Sequence, residues 1–286
     1  MPGINTLGTP NTQDYVVGRG KILFALNNSI TGLPTDDGFR DLGNAPEFTV
    51  TETTEELKHA NSRDCLKFTD KRFVISQEIG IGFKLDETRN FQNLALFLSG
   101  TTSSFDNAHD TIITEFTLIN DVKKGNWYEI RNSTGERVYN LDATGVVYTF
   151  EKSGAPDVAL VENVDYEIDE QMGLIRFLPA GIVLTDGDPI DFAMTTAATT
   201  PKDLDQVNAL ETSEIKGTLL FIQDNAGDCG QKVEWRFHQA NLSPDGDLPM
   251  IGDEVSVMSF KGVAEINTGT GILDASRVLT VRTYDM

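Results

Sequence analysis

FVISQEIGIGFKL, residues 73–85, decides how this chain is read. Odd positions carry Phe73, Ile75, Gln77, Ile79, Ile81, Phe83 and Leu85, and even positions Val74, Ser76, Glu78, Gly80, Gly82 and Lys84. A period of two sustained over the whole run predicts one long strand with an apolar face and a small or polar face. At about 3.3 Å per residue it spans roughly 40 Å, far beyond the usual 5 to 6 residues, so it needs a long partner. EFTVTETTE, residues 47–55, supplies one: Phe48 and Val50 alternate with Glu47, Thr49, Thr51 and Thr53. Threonine is stiff at χ1 and suits a half-wet pleated surface. The two strands predict an antiparallel hairpin joined by a loop over 56–72. Lys58, Arg63, Lys67, Lys71 and Arg72 make that loop basic against Asp64 and Asp70. Thr88 or Asn90 then opens a short helix with Phe91, Leu94, Ala95 and Leu98 on one face, and Gly100 is placed to end it.

The run from Arg40 to Gly100, with this order of hairpin, basic loop, return strand and helix, resembles the core of the tail tube proteins, or major tail proteins, of long-tailed bacteriophages. NVDYEIDEQMGLIRFLPAGIVLTDGDPIDF, residues 163–192, is similar to a second segment of that family. The resemblance implies a mainly β fold, a tail-tube-type β-sandwich or barrel with two long hairpins and a packing helix. Six subunits would form a ring whose hairpins line a channel, and rings would stack into the conduit for DNA ejection. Thr49, Thr51, Thr53, Ser76, Glu78, Gly80, Gly82 and Lys84 would face the DNA. Phe48, Val50, Ile75, Ile79, Ile81 and Phe83 would pack outward against Phe91, Leu94 and Leu98. Lys58, Arg63, Lys67, Lys71 and Arg72 would dock on the adjacent ring. The implied partners are further copies of the chain, a tape measure protein and tail terminator or tip proteins, with DNA passing non-specifically. The implied location is the virion tail, assembled in the host cytoplasm.

The chain has 286 residues, 39% of them hydrophobic, and a formal net charge of -21. That length buries a sizeable core, and the acidity argues against a sequence-specific DNA binder. A conduit is different, because a wall that gains nothing from phosphates lets them slide. Cys65 and Cys229 are the only cysteines, and two thiols make neither a disulfide framework nor a zinc site, which points to a reduced cytosolic birthplace. Residues 1–15 have neither a basic start nor an apolar core of signal-peptide length, and no apolar run approaches the roughly 20 residues that cross a bilayer. No membrane partner is expected.

Residues 1–14 read as a flexible arm and 15–26 as a strand in which Gly18 and Gly20 permit a close backbone approach. GRGK at 18–21 lacks P-loop spacing. Short strands are predicted over 111–121, 127–132, 138–141, 146–150, 158–160, 166–168, 174–178 and 190–194, with turn residues between them. Thr111–Ala198 is thus a β-rich insertion between two parts of a tube domain, 1–110 and 199–286. From Glu151 to Asp191 ten acidic residues stand against Lys152 and Arg176. GTLLFIQ at 217–223 and QKVEWRFHQA at 231–240 form a second hairpin, followed by strands over 254–266 and 277–284.

His59, His109 and His238 fall at no spacing that pairs them with a nucleophile, and neither GxSxG nor HExxH occurs, so no enzyme and no cofactor are expected. Asp186, Asp188 and Asp191, or Asp245 and Asp247, could offer oxygens to calcium, but DGD is also the composition of a tight turn, and no metal is assigned. The alternative function is a carbohydrate-binding or adhesion β-sandwich on a virion or cell surface. A hydrolase is the enzyme-class rival.

Overall fold

The computed structural model describes residues 18–61, 68–105, 112–154, 156–196, 204–225 and 232–284. It is mainly β, with 53% strand and one helix. Two compact units divide the chain, Met1–Thr102 with Val207–Met286, and Ser103–Gln206.

The first unit begins with β1 (Gly18–Leu26) and β2 (Arg40–Asp41), then the pair β3 (Glu47–Asn61) and β4 (Phe68–Leu85) and the helix α1 (Phe91–Phe97), and β5 (Thr101–Phe105) runs across the boundary after Thr102. The second unit carries β6 (Ile113–Ile119), β7 (Trp127–Glu129), β8 (Val147–Lys152), β9 (Val158–Ala159), β10 (Tyr166–Asp169), β11 (Leu174–Phe177) and β12 (Ile190–Thr196). The chain returns through β13 (Leu204–Asn208), which pairs with β5, into β14 (Ile215–Asn225), β15 (Lys232–Pro244), β16 (Met258–Ala264) and β17 (Leu279–Tyr284).

In the first unit the strands follow the order β2-β1-β14-β15-β16-β4-β3, and every pairing is antiparallel. β17 lies on the margin of β15 that β16 uses farther along: Lys232–Phe237 pair with β17 and Ala240–Pro244 with β16. One face of this sheet collects Ile81, Phe83, Leu85, Phe260, Leu242, Phe237 and Leu219 into the core. Phe48 on β3 stacks on Phe221 of β14 with ring centroids 4.3 Å apart. In a flat sheet four strand spacings would hold those positions roughly 19 Å apart, so the sheet rolls around its own core. Gly20 and Gly217 let β1 lie against β14: a Cβ at Gly20 would fall 2.4 Å from the Ile222 carbonyl, and one at Gly217 2.2 Å from the Ala25 carbonyl.

Asn90 caps α1, its side chain accepting from the amides of Gln92 and Asn93. The helix buries Asn93, Ala95 and Phe97, and Phe97 meets Phe260 edge-on at 5.7 Å. This corrects the expected face: Phe91 is exposed, and the buried wheel is turned by Asn93, which donates to the Leu42 carbonyl and accepts from Arg40.

The second unit has the sheets β6-β12-β8-β9 and β10-β11-β7 around Ile130, Phe150, Ile175, Phe177, Ile190 and Phe192. Val138–Leu141 forms no strand, contrary to the expectation. Asn140 sits at φ 51, which ends an extended run, while the Val138 carbonyl lies where a Cβ on Gly173 would be. The strand expected over 254–266 is shorter, Met258–Ala264.

Candidate functional site

The ribbon β3–β4 is where coverage fails. β16 pairs with β4 only from Ile79 to Leu85, and beyond Ile79 β4 has β3 as its sole partner among the described residues. β3 is an edge strand over its full 15 residues. Among the described residues Thr49–Ala60 and Thr69–Glu78 are all exposed. The ribbon therefore runs roughly 35 Å past its last covering strand. Its unpaired backbone groups and apolar side chains are the pattern that folded proteins ordinarily avoid at an edge.

The register resolves its two faces. Glu47 pairs with Lys84, Thr49 with Gly82, Thr51 with Gly80, Thr53 with Glu78 and Glu55 with Ser76, so these side chains share one face. All eight residues expected to line a channel are on it. The face continues across Ser259, Lys261 and Val263 of β16 to Asn241 and Ser243 of β15, forming a groove of about 630 Å³. Its cations are engaged: Lys84 with Glu47 at 2.7 Å, Lys261 with Asp245 at 3.2 Å, and Lys216 with Glu214 at 2.8 Å and Glu265 at 3.2 Å. Asn241 and Gln239 both donate to Glu265, and these bonds hold its carboxyl below the usual range.

On the opposite face Ile79, Ile81, Phe83 and Phe48 pack as expected, Ile81 and Phe83 fully in the core. Leu94 and Leu98 are half-buried, whereas Val50 is exposed. Ile75 is a correction: it is 60% exposed and lies outside the core that α1 joins. It is the extra residue of a β-bulge, since Glu55 pairs with Ser76 and Glu56 with Val74. Past that point the alternation on β4 changes phase, and Leu57 stands opposite Phe73. Leu57, Phe73 and Val74 are 56%, 44% and 56% exposed.

The basic loop is also shorter than the expected 56–72. Lys58, Lys71 and Arg72 are on the strands, because pairing continues to Asn61 and resumes at Phe68. Lys58 pairs across from Arg72, Arg72 reaches Glu56 at 3.5 Å, and Lys71 lies over the Phe73 ring. Arg63 and Lys67 lie outside the described residues. The ribbon's outer end is basic and its inner part acidic, with Glu47, Glu52, Glu55, Glu56 and Glu78.

A family model described as "Protein of unknown function UCP028589" matches residues 15–270. The chain belongs to that family. No curated protein matches it.

In this member of the UCP028589 family the histidines do structural work where they are described. His59 bonds Asp70 at 2.6 Å on the ribbon, and that bond holds the Asp70 carboxyl below its usual range. His238, 1% exposed, places Nε2 3.0 Å from Thr280 Oγ1 and 3.3 Å from Asp274. A nucleophile relay needs its two partners on opposite ring nitrogens, and here both meet the same one. His109 lies outside the described residues. Of the acids first considered for calcium, Asp186, Asp188 and Asp245 are otherwise engaged. Asp188 holds Lys152 at 2.7 Å and the Thr185 amide, Asp186 accepts from the Lys124 amide, and Asp245 holds Lys261. Among the described residues no helix is long and apolar enough to cross a membrane.

Proposed function

We propose that this chain is a structural subunit of a bacteriophage tail tube, joining copies of itself into hexameric rings that stack around a DNA channel. The observation that carries this reading is the ribbon β3–β4, whose outer half has, among the described residues, no backbone partner on either margin. Edge-to-edge closure of several copies removes such a hazard, as closure does in any barrel. In that arrangement Phe73, Val74 and Leu57 become buried between neighbours, and their apolar area drives association.

The Thr49–Gly82 face suits the lumen. Its short side chains leave a smooth wall, and its lysines are neutralised by carboxylates at hydrogen-bonding distance. Phosphates passing over it release few counterions and so are not held. The basic outer end supports docking on an acidic surface of the next ring. Reversing charge at Arg63, Lys67 and Lys71 is then expected to leave subunits folded and rings intact but to stop elongation. Partners in the tail, the virion location and host-cytoplasm assembly follow from the same reading.

Electron microscopy of the purified full chain tests it. Rings or tubes of uniform bore are expected. A dispersed monomer at every concentration tried contradicts it, and a monomer that binds glycans would favour an adhesion module.

A further inference from the structure

The second unit contains a cluster that the assembly reading does not use. Glu115 on β6, Glu151 on β8 and Asp157 just before β9 each bring a carboxylate oxygen within 4.8 Å of the others. β12 runs between β6 and β8, and its Asp191 stands directly across from Glu151 on one side and Thr117 on the other. Asp191 therefore emerges on the face that Glu151 presents, and Glu115, two residues from Thr117, shares it. The opposite face is the core, with Phe150, Ile190 and Phe192. Asp191 is only 7% exposed, and its Oδ1 is buried with no hydrogen-bond partner.

Three carboxylates thus converge on one sheet face, and Asp191, on the strand between β6 and β8, turns an unsatisfied oxygen-bearing side chain to the same face. Like charges directly opposite one another in a sheet repel, and a buried oxygen without a donor is costly. Among the described residues none of the four makes an ion pair. Lys152, adjacent to Glu151 in sequence, pairs across from Ile190 and is held by Asp188 at 2.7 Å. Asp157 is fixed in place by the Gly154 amide, which donates to Oδ1 at 2.7 Å.

We infer that this face binds a divalent cation, with Glu115, Glu151 and Asp157 as oxygen ligands and the unsatisfied, buried Asp191 on the same face behind them. An all-carboxylate donor set without cysteine or histidine selects a hard ion over zinc or copper. Oxygens up to 4.8 Å apart accommodate metal–oxygen bonds near the 2.3–2.6 Å of calcium without moving the strands, whereas magnesium demands a tighter octahedron. The ion would tie β6 and β8 to the turn before β9, and water would complete its shell. Two of the ligands are well exposed, which places the affinity in the range of open calcium sites, a Kd of about 10⁻⁴–10⁻³ M.

The test is calorimetric titration of the full chain, stripped with EDTA, using calcium chloride and separately magnesium chloride, with thermal melting beside it. A saturable calcium heat and a rise in melting temperature are expected, with a weaker magnesium response. Glu115→Gln and Glu151→Gln should abolish both calcium effects and, without calcium, melt no lower than the natural chain because repulsion is relieved. Glu115 is exposed, so its variant remains informative even where Asp191→Asn fails to fold. A natural chain with neither heat nor melting response overturns the site, as do amide variants that bind calcium unchanged.

Discussion

Ribbons β14–β15 and β3–β4 are built from the same two-residue alternation, yet their margins differ. β1 covers β14 from Gly217 to Asn225, and β17 and β16 share the far margin of β15. Among the described residues β3 has no second partner, and β4 has one only along its last seven residues, Ile79–Leu85. Burial follows coverage: Leu219, Phe237 and Ala240 are fully enclosed, while Leu57, Phe73 and Ile75 stand in solvent. Alternation within a strand selects a face. Whether that strand is finished depends on what distant segments lay along its edges.

The largest contrast is expected from truncating an aromatic in each ribbon. Phe237→Ala should cost about 3–5 kcal/mol in urea unfolding, because the cavity opens among packed rings. Phe73→Ala should change monomer stability by about 0.5 kcal/mol or less. A large loss at Phe73 would mean that the ribbon is already packed in the lone chain.

Glycines sharpen the same comparison. Gly217→Ala drives a Cβ into the Ala25 carbonyl and the Phe24 ring, and should destabilise by about 1–3 kcal/mol. Gly80→Ala meets nothing nearer than 3.7 Å and should be tolerated within about 0.5 kcal/mol. Equal costs at the two positions would remove the distinction between a closed and an open margin.

The smallest effect concerns pH. Burial pushes the His238 imidazole below its ordinary value of 6.5, with Arg236 and Arg282 adding to the fall and Asp274 opposing it. Its neutral form therefore stabilises the covered ribbon above about pH 6.5. That contribution is lost as the pH drops from there through the folded-state value, because the unfolded chain takes up the proton first. His238→Gln should flatten this segment of the stability curve. An unchanged slope would show that another group titrates there.

Much of this was legible in the residues because a period of two is a local property. Thr49, Thr51, Thr53, Ser76, Glu78, Gly80, Gly82 and Lys84 carry it without ambiguity, and the register puts them on one face. Phe73, Val74 and Ile75 do not, since three consecutive apolar residues fit either phase, and the bulge at Ile75 falls there. The Asn93 side of α1 was hidden because a buried amide reads as polar until Leu42 and Arg40 arrive to bond it. The carboxylate face around Asp191 was equally hidden. Glu115, Glu151 and Asp157 meet only through the order β6-β12-β8-β9, which no local spacing encodes.

Amide hydrogen exchange, comparing dilute monomer with assembled material, tests the open margin most directly. The outward-facing amides of Glu47–Asn61 should exchange freely in the monomer and become protected on assembly, while Leu219–Ile222 and Trp235–Phe237 stay protected in both. Ribbon amides already protected in the monomer, or still free in the assembled state, would contradict the account.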